Sequence, residues 1–500
     1  MSKDKVHIPK ASQLMGTLRC MGYSFESAIA DIIDNSISAH ATVVKLRFPM
    51  TPLEELALGI IDNGDGMNKK HLLEAMRYGY IAPEDIRPDD DLGRFGMGLK
   101  SASLSQCRRL TVVSFDGDSY VGFRWDYAYI LEKNDWIIQE LDETEIRQLP
   151  YFSEYNEQHK GTLVIWQDFD VISKASGGQV YEALKDLMVP LEKHLSLTFH
   201  RFLSDSSVLC LYINKLQVAP ADPFLEHHLK TTCKKERTIA VKDSNGKERL
   251  ICIKPFILPY ATDLKEKDKK LIGGIENLRA KQGFYVYRNK RLIIHGTWFG
   301  MKPRAELTKN ARVRVDIPNS LDDIWAIDIK KQQASIPKQV QNQLKKTVRE
   351  ALDISLKQQT YRGRTNKVNE NIDYIWERKE GRDSKFFYQI NRDSKLYQFV
   401  REKMSDEDFA YLDMLVAEIE KNIPLQQMYI DKSNELMIVE ENDSRFDDVY
   451  QLALAMIAAI QKIQNNDFAE VVADLMKSEP FCYYPELKQL LLKETEDEHN

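Results

Sequence analysis

The chain lacks the usual marks of an exported, membrane-spanning or metal-clustered protein. Its six cysteines (Cys20, Cys107, Cys210, Cys233, Cys252 and Cys482) are scattered and form no CxxC pair, which argues against a zinc site or a disulfide framework. No apolar run reaches the roughly 18 residues of a membrane helix. The opening MSKDKVHIPKASQ has no apolar core of the signal-peptide kind, so a cytoplasmic location is expected. An overall basic charge is missing as well. At a net charge of −6, any contact with nucleic acid has to come from local patches.

What is present is sufficient apolar material, 43 % of 500 residues, for ordinary cores. At roughly 100–200 residues per domain, two to four domains are expected. Leu14, Leu18, Met21, Phe25, Ala28 and Ile32 recur at helical spacing and predict a helix over 11–40. Strands are predicted at 41–48, in the apolar first part of 56–67, and at 109–115, 120–126 and 161–169. Short helices are predicted at 70–79 and from 99, on either side of a long loop at 81–98 that has the length of a functional lid. Further on come a helix at about 178–203, strands at 207–218, 249–258 and 282–293, and a helix at 335–355. A polar, basic hinge at 357–371 leads into a mostly helical remainder with an apolar helix at 449–463.

Three segments carry chemistry, in order. "DIIDN" puts Asp31 and Asn35 at i and i+4 on one helical face. A carboxylate there can orient a water, and a carboxamide oxygen can ligate a hard cation such as Mg²⁺. "DNGDGM" ends a strand on Asp62 and turns through Gly64 and Gly66 to Met67; a buried carboxylate at that end can accept a hydrogen bond from an exocyclic amine, as on adenine. "GRFGMGLKSAS" runs Gly93, Arg94, Phe95, Gly96, Met97 and Gly98 into a helix at Leu99, with Lys100 adding a cation. Backbone N–H groups at a helix start make an anion site. This is no Walker A loop, because Leu99 separates Gly98 from Lys100, and no Rossmann fingerprint, because no βαβ unit surrounds it.

Together the three segments resemble the ExxxN, DxGxG and GxxGxG motifs of the GHKL ATPases, the superfamily of gyrase B, Hsp90, histidine kinases and MutL. "AMRYGY…LGRFGMGLKSASLS" and "GFYVYRNKRLI" look more like the MORC-type members and their bacterial relatives, which are often associated with restriction or phage-defence operons. "GTLVIW" is similar to the fourth motif. The resemblance implies an α+β protein. A GHKL two-layer α/β sandwich would occupy 1–175, an S5-like α/β transducer domain 176–355, and a mostly helical C-terminal domain 356–500.

The resemblance also implies roles. ATP and Mg²⁺ would be the ligands. Asn35 would bind Mg²⁺, Asp62 would read adenine with support from Thr162, and Gly64, Gly66, Met67 and residues Gly93 to Lys100 would line the nucleotide. Asp31 would be the general base, where the family usually has the longer glutamate. A transducer lysine, one of Lys330 and Lys331 with Lys330 the favoured candidate, would reach the γ-phosphate. ATP-driven homodimerisation follows from the same resemblance, as do nuclease, helicase or methylase partners encoded nearby. Basic runs at 227–237, 265–270 and 288–314 suggest a DNA-facing stripe in the second domain. An Hsp90-like chaperone and a non-catalytic ATP-sensing scaffold are the alternative readings.

Overall fold

A computed structural model describes residues 9–20, 22–78, 98–243, 245–322, 325, 340–342, 344–345, 349, 372–380, 386–425, 427–428, 446–463 and 468–497. The expected lid up to Met97, Lys330 and Lys331, the hinge at 357–371 and most of the helix expected at 335–355 lie outside these residues. The chain divides into two compact units, 1–357 and 358–500.

The helix expected over 11–40 is in fact two, α1 (Ala11–Arg19) and α2 (Phe25–Ser38). Gly22 breaks the run at φ 69°, and the Ser24 hydroxyl caps α2 by accepting the Ser27 N–H at 3.2 Å. There follow β1 (Val43–Arg47), β2 (Ala57–Asp62), α3 (Lys69–Met76), α4 (Gly98–Gln106), β3 (Arg109–Phe115), β4 (Tyr120–Asp126), α5 (Tyr127–Lys133) and β5 (Gln139–Leu141). The short α6 (Glu143–Arg147) and α7 (Phe152–Asn156) lead to β6 (Gly161–Gln167), then α8 (Asp170–Ala175), α9 (Val180–Thr198) and α10 (His200–Leu203). Last in this layer come β7 (Cys210–Ile213) and β8 (Leu216–Gln217).

These strands form one sheet in the order β5-β4-β3-β6-β2-β1-β7-β8, antiparallel except where β7 runs parallel to β1. The pairing with β7 means that the first sheet continues past residue 175. The boundary expected there falls within this layer instead, because β1 needs β7 to cover its edge. Along β2, Leu58 and Ile60 pack toward α2, α4 and α9, while Ala57 and Ile61 pack toward α6 and α7. Both faces are buried, so β2 reads as an unbroken apolar run rather than an alternating one.

A second, six-stranded sheet is built from β9 (Thr232–Cys233), β10 (Arg237–Lys242), β11 (Glu248–Ile257), β12 (Gly283–Arg288), β13 (Arg291–Thr297) and β14 (Ala311–Ile317), with α11 (Glu266–Leu271) between β11 and β12. The single strand expected at 282–293 is a hairpin. Asn289 and Lys290, at φ 47° and 68°, form its two-residue turn, and Arg288 pairs with Arg291.

The unit from 358 to 500 holds the hairpin β15 (Trp376–Glu380) and β16 (Phe386–Ile390), followed by α12 (Lys395–Lys403), α13 (Asp406–Lys421), α14 (Phe446–Ile463), α15 (Phe468–Leu475) and α16 (Pro485–Asp497). The apolar face of α14 (Val449, Ala453, Met456, Ile457) is core, packed with Leu475, Phe481 and Leu487. No helix among the described residues is long and apolar enough to cross a membrane.

Candidate nucleotide site

β2 carries Asp62 to the end of a buried strand, directly opposite Thr162 of β6. Its Oδ1 accepts the backbone N–H of Gly64 at 3.0 Å and of Thr162 at 3.1 Å, and its Oδ2 accepts the Ser36 hydroxyl at 2.8 Å. An ionised carboxylate offers about four acceptor positions, so among the described residues one remains for a further donor. Burial pushes the Asp62 carboxyl above the usual carboxylate range, against the pull of the hydrogen bonds from Ser36, Gly64 and Thr162. The support expected from Thr162 comes through its backbone N–H. Its hydroxyl instead shares a hydrogen bond with Ser114 at 3.0 Å, and Ser114 accepts the Met67 N–H at 2.8 Å. The turn after β2 leaves no room for side chains. A Cβ on Gly66, at φ 73°, would lie 2.0 Å from the Phe115 carbonyl oxygen, and one on Gly64 would lie 2.7 Å from that of Ala39.

The polar residues of α2 part company in the structure. Asn35 is exposed, while Asp31 and Asp34 are buried, at 3 % and 0 % exposure. Asp31 Oδ2 accepts the Tyr23 hydroxyl at 3.0 Å, and Asp31 Oδ1 lies 3.3 Å from Arg291 Nη2. The same guanidinium reaches Asp34 through Nε at 2.7 Å. Gly98, the first residue of α4, sits against this group: a Cβ built there would be 3.7 Å from Asp31 Oδ2. α2, the turn after β2 and the start of α4 thus bring together Asp31, Asn35, Asp62, Gly64, Gly66, Met67, Gly98 and Thr162. Leu99 is half-buried and packs on the apolar core beneath α4.

Lys100 lies in the first turn of α4. It is buried, and its Nζ donates to the Ala75 carbonyl at the end of α3 at 2.8 Å, where the last-turn carbonyls favour a cation. Burial lowers its ammonium to about 8. Gly93, Arg94, Phe95, Gly96 and Met97 lie outside the described residues.

Sequence reasoning missed Ser36, Tyr23, Ser114 and Arg291. Ser36 had one signal, a hydroxyl on the side of α2 that otherwise carries isoleucine. Asp34 had another, because a carboxylate on an apolar face demands a cation. The sequence does not say which cation. Arg291 had been assigned to the basic stripe at 288–314, and that stripe is largely internal. Arg288 is 2 % exposed and bonds Asp322 at 2.8 Å, Arg312 is fully buried with Nη1 on the Pro223 carbonyl, and Arg314 pairs with Glu226, Glu236 and Asp316. Lys230, Lys234, Lys235 and Arg237 do remain exposed.

No curated protein matches the chain. The family model described as histidine kinase-, DNA gyrase B-, and HSP90-like ATPase matches residues 23–162. That span runs from Tyr23, beside Asp31, to Thr162, on Asp62, and on this evidence the chain carries an ATPase domain of the GHKL type.

Proposed function

We propose that this protein binds Mg·ATP between α2, the turn after β2 and the start of α4, and hydrolyses it slowly as the trigger of a dimeric clamp. The observation that carries the reading is Asp62: a buried carboxylate held on three sides, with acceptor capacity left for an exocyclic amine. The α4 start, with its N–H groups and positive dipole end, suits phosphate. Asn35 suits a shared cation. Asn35 is exposed and lies one helical turn beyond Asp31 on α2, and Mg²⁺ takes few protein ligands when phosphate supplies the rest. Among the described residues, no cluster of His, Cys, Asp or Glu would hold a metal without phosphate. Bound there, the cation would neutralise phosphate charge. Asp31, next to Gly98, would take the proton from the attacking water.

Steady-state ATPase measurements on wild type and Asp31→Asn test this reading. A fall of roughly 10²-fold or more with ATP affinity retained is expected for a general base; equal rates remove Asp31 from that role. Size measurements with a non-hydrolysable ATP analogue and Mg²⁺ test the clamp, which fails if a monomer stays monomeric. DNA bound during a restriction or defence reaction would have to use the exposed run at Lys230–Arg237, with affinity falling steeply as salt rises; salt-insensitive binding, or none, sinks this part.

A second reading has its own observation. Asp31 is buried and engaged by both Tyr23 and Arg291, as would suit a protein that senses ATP without turning it over. Tight ATP binding with no Asp31-dependent hydrolysis is its signature.

A further inference from the structure

Building on the reading of Asp31 as general base, we propose that Arg291, at the start of β13 in the second sheet, is the positioning residue that makes this aspartate usable. Three observations carry it. First, the Arg291 side chain is 3 % exposed and serves two carboxylates through different nitrogens, Asp34 through Nε at 2.7 Å and Asp31 through Nη2 at 3.3 Å. Second, the two oxygens of Asp31 are divided: Oδ1 faces Arg291, while Oδ2 accepts from Tyr23 and is the oxygen nearest Gly98 at the start of α4. Arg291 thereby turns the carboxylate so that one oxygen faces the place where a phosphate and its attacking water would sit. Third, Arg291 is aimed from its own side. It leaves the two-residue hairpin turn at Asn289–Lys290, and its guanidinium lies over the Phe199 ring at 5.9 Å.

A short carboxylate tolerates less misplacement than a glutamate, and a buried one without a counter-charge takes up a proton. Arg291 answers both requirements. It fixes the rotamer of Asp31 and keeps the carboxylate in the ionised form that can accept a proton from water. Because Arg291 belongs to the second sheet, the nucleotide site is complete only when that sheet is docked on α2.

Among the described residues, the charged and titratable groups that act on His194 of α9, packed against α2, are Arg291, Glu26, His295 and Asp34. Burial, followed by the charge of Arg291, lowers His194 to about 4, and burial lowers His295 to about 4. Both are neutral over the range of an ATPase assay. Lys100 on α4, lowered by burial to about 8, lies well above the acid limb.

The experiment is the pH dependence of steady-state ATPase for wild type, Arg291→Met, Arg291→Lys and Asp34→Asn, with ATP binding measured in parallel. For Arg291→Met the expected result is a kcat at least roughly tenfold lower, a KM for ATP within about threefold, and an acid limb moved up by about 1–3 pH units. Arg291→Lys restores the acid limb but only part of kcat, since one ammonium cannot span both carboxylates. Asp34→Asn leaves Arg291 to Asp31 alone and keeps the wild-type acid limb; it still reports if Arg291→Met does not fold, because a limb displaced in Asp34→Asn or unrestored in Arg291→Lys contradicts the assignment. Hydrolysis that depends on Asp31 but has the same acid limb in every Arg291 variant overturns this inference and leaves the proposed function standing. ATP binding without any Asp31-dependent hydrolysis overturns both.

Discussion

Asp62→Asn is expected to weaken ATP binding by about 3 kcal/mol, roughly a hundredfold, while leaving the chain folded. The carboxamide has the same shape but only one oxygen. In the wild type both oxygens are in use, Oδ1 for the N–H groups of Gly64 and Thr162 and Oδ2 for the Ser36 hydroxyl. With asparagine, an NH₂ group must face either these donors or the adenine amine. If it faces the adenine amine, two donors oppose each other and the charge-assisted hydrogen bond is lost. Guanine carries a carbonyl where adenine carries its amine, so the variant should also narrow the preference for ATP over GTP. Titration calorimetry with both nucleotides measures this, with thermal melting as the control for folding. A variant that binds ATP as tightly as wild type would show that Asp62 does not read the base.

Gly161→Ala should have the largest effect on stability. Gly161 opens β6 at φ 110°, and an added Cβ would lie 1.9 Å from the carbonyl oxygen of Asp62 and 2.9 Å from Asn63 Cα. Those are backbone atoms of the neighbouring strand end and cannot rotate away. Strain at positive φ and overlap together cost on the order of 4 kcal/mol. The displacement would also fall on Asp62, so nucleotide binding should weaken even where the protein stays folded. Gly117→Ala is the matched comparison. At φ 105° it carries similar backbone strain but has no atom within 4 Å of the new Cβ, so about 1–2 kcal/mol is expected. Denaturant unfolding of the two variants separates strain from overlap; equal losses would mean that the close approach of β6 to Asp62 is not rigid.

Where a residue's environment is local, the sequence was legible. β3 and β4 lie where β-branched runs predicted them, over 109–115 and 120–126. Asp31, Asn35, Asp62 and Gly98 stood out as candidates because each belongs to a short motif that its own neighbours define. The illegible part is what distant chain supplies. β14 was hidden because Arg312 and Arg314 alternate with Val313 and Val315, and a strand whose arginines are buried or ion-paired looks like a basic surface segment. β7 gives no local sign of which sheet it joins. Arg291 stands 260 positions from Asp31, and nothing near either residue names the other.

The parallel pairing of β7 with β1, and the reach of Arg291 back to α2, impose an order on synthesis. A ribosome that has released residues 23–162 has made every strand and helix of the family match, yet the β7 neighbour of β1 and the Arg291 that pairs with Asp31 and Asp34 are still to come. At roughly 5–20 residues per second, the wait from residue 162 to residue 291 lasts on the order of ten seconds. Throughout it, Asp31 and Asp34 wait for the guanidinium that bridges them in the folded chain. If Asp31 is the general base that Arg291 positions, a working site has to wait until the second sheet has emerged.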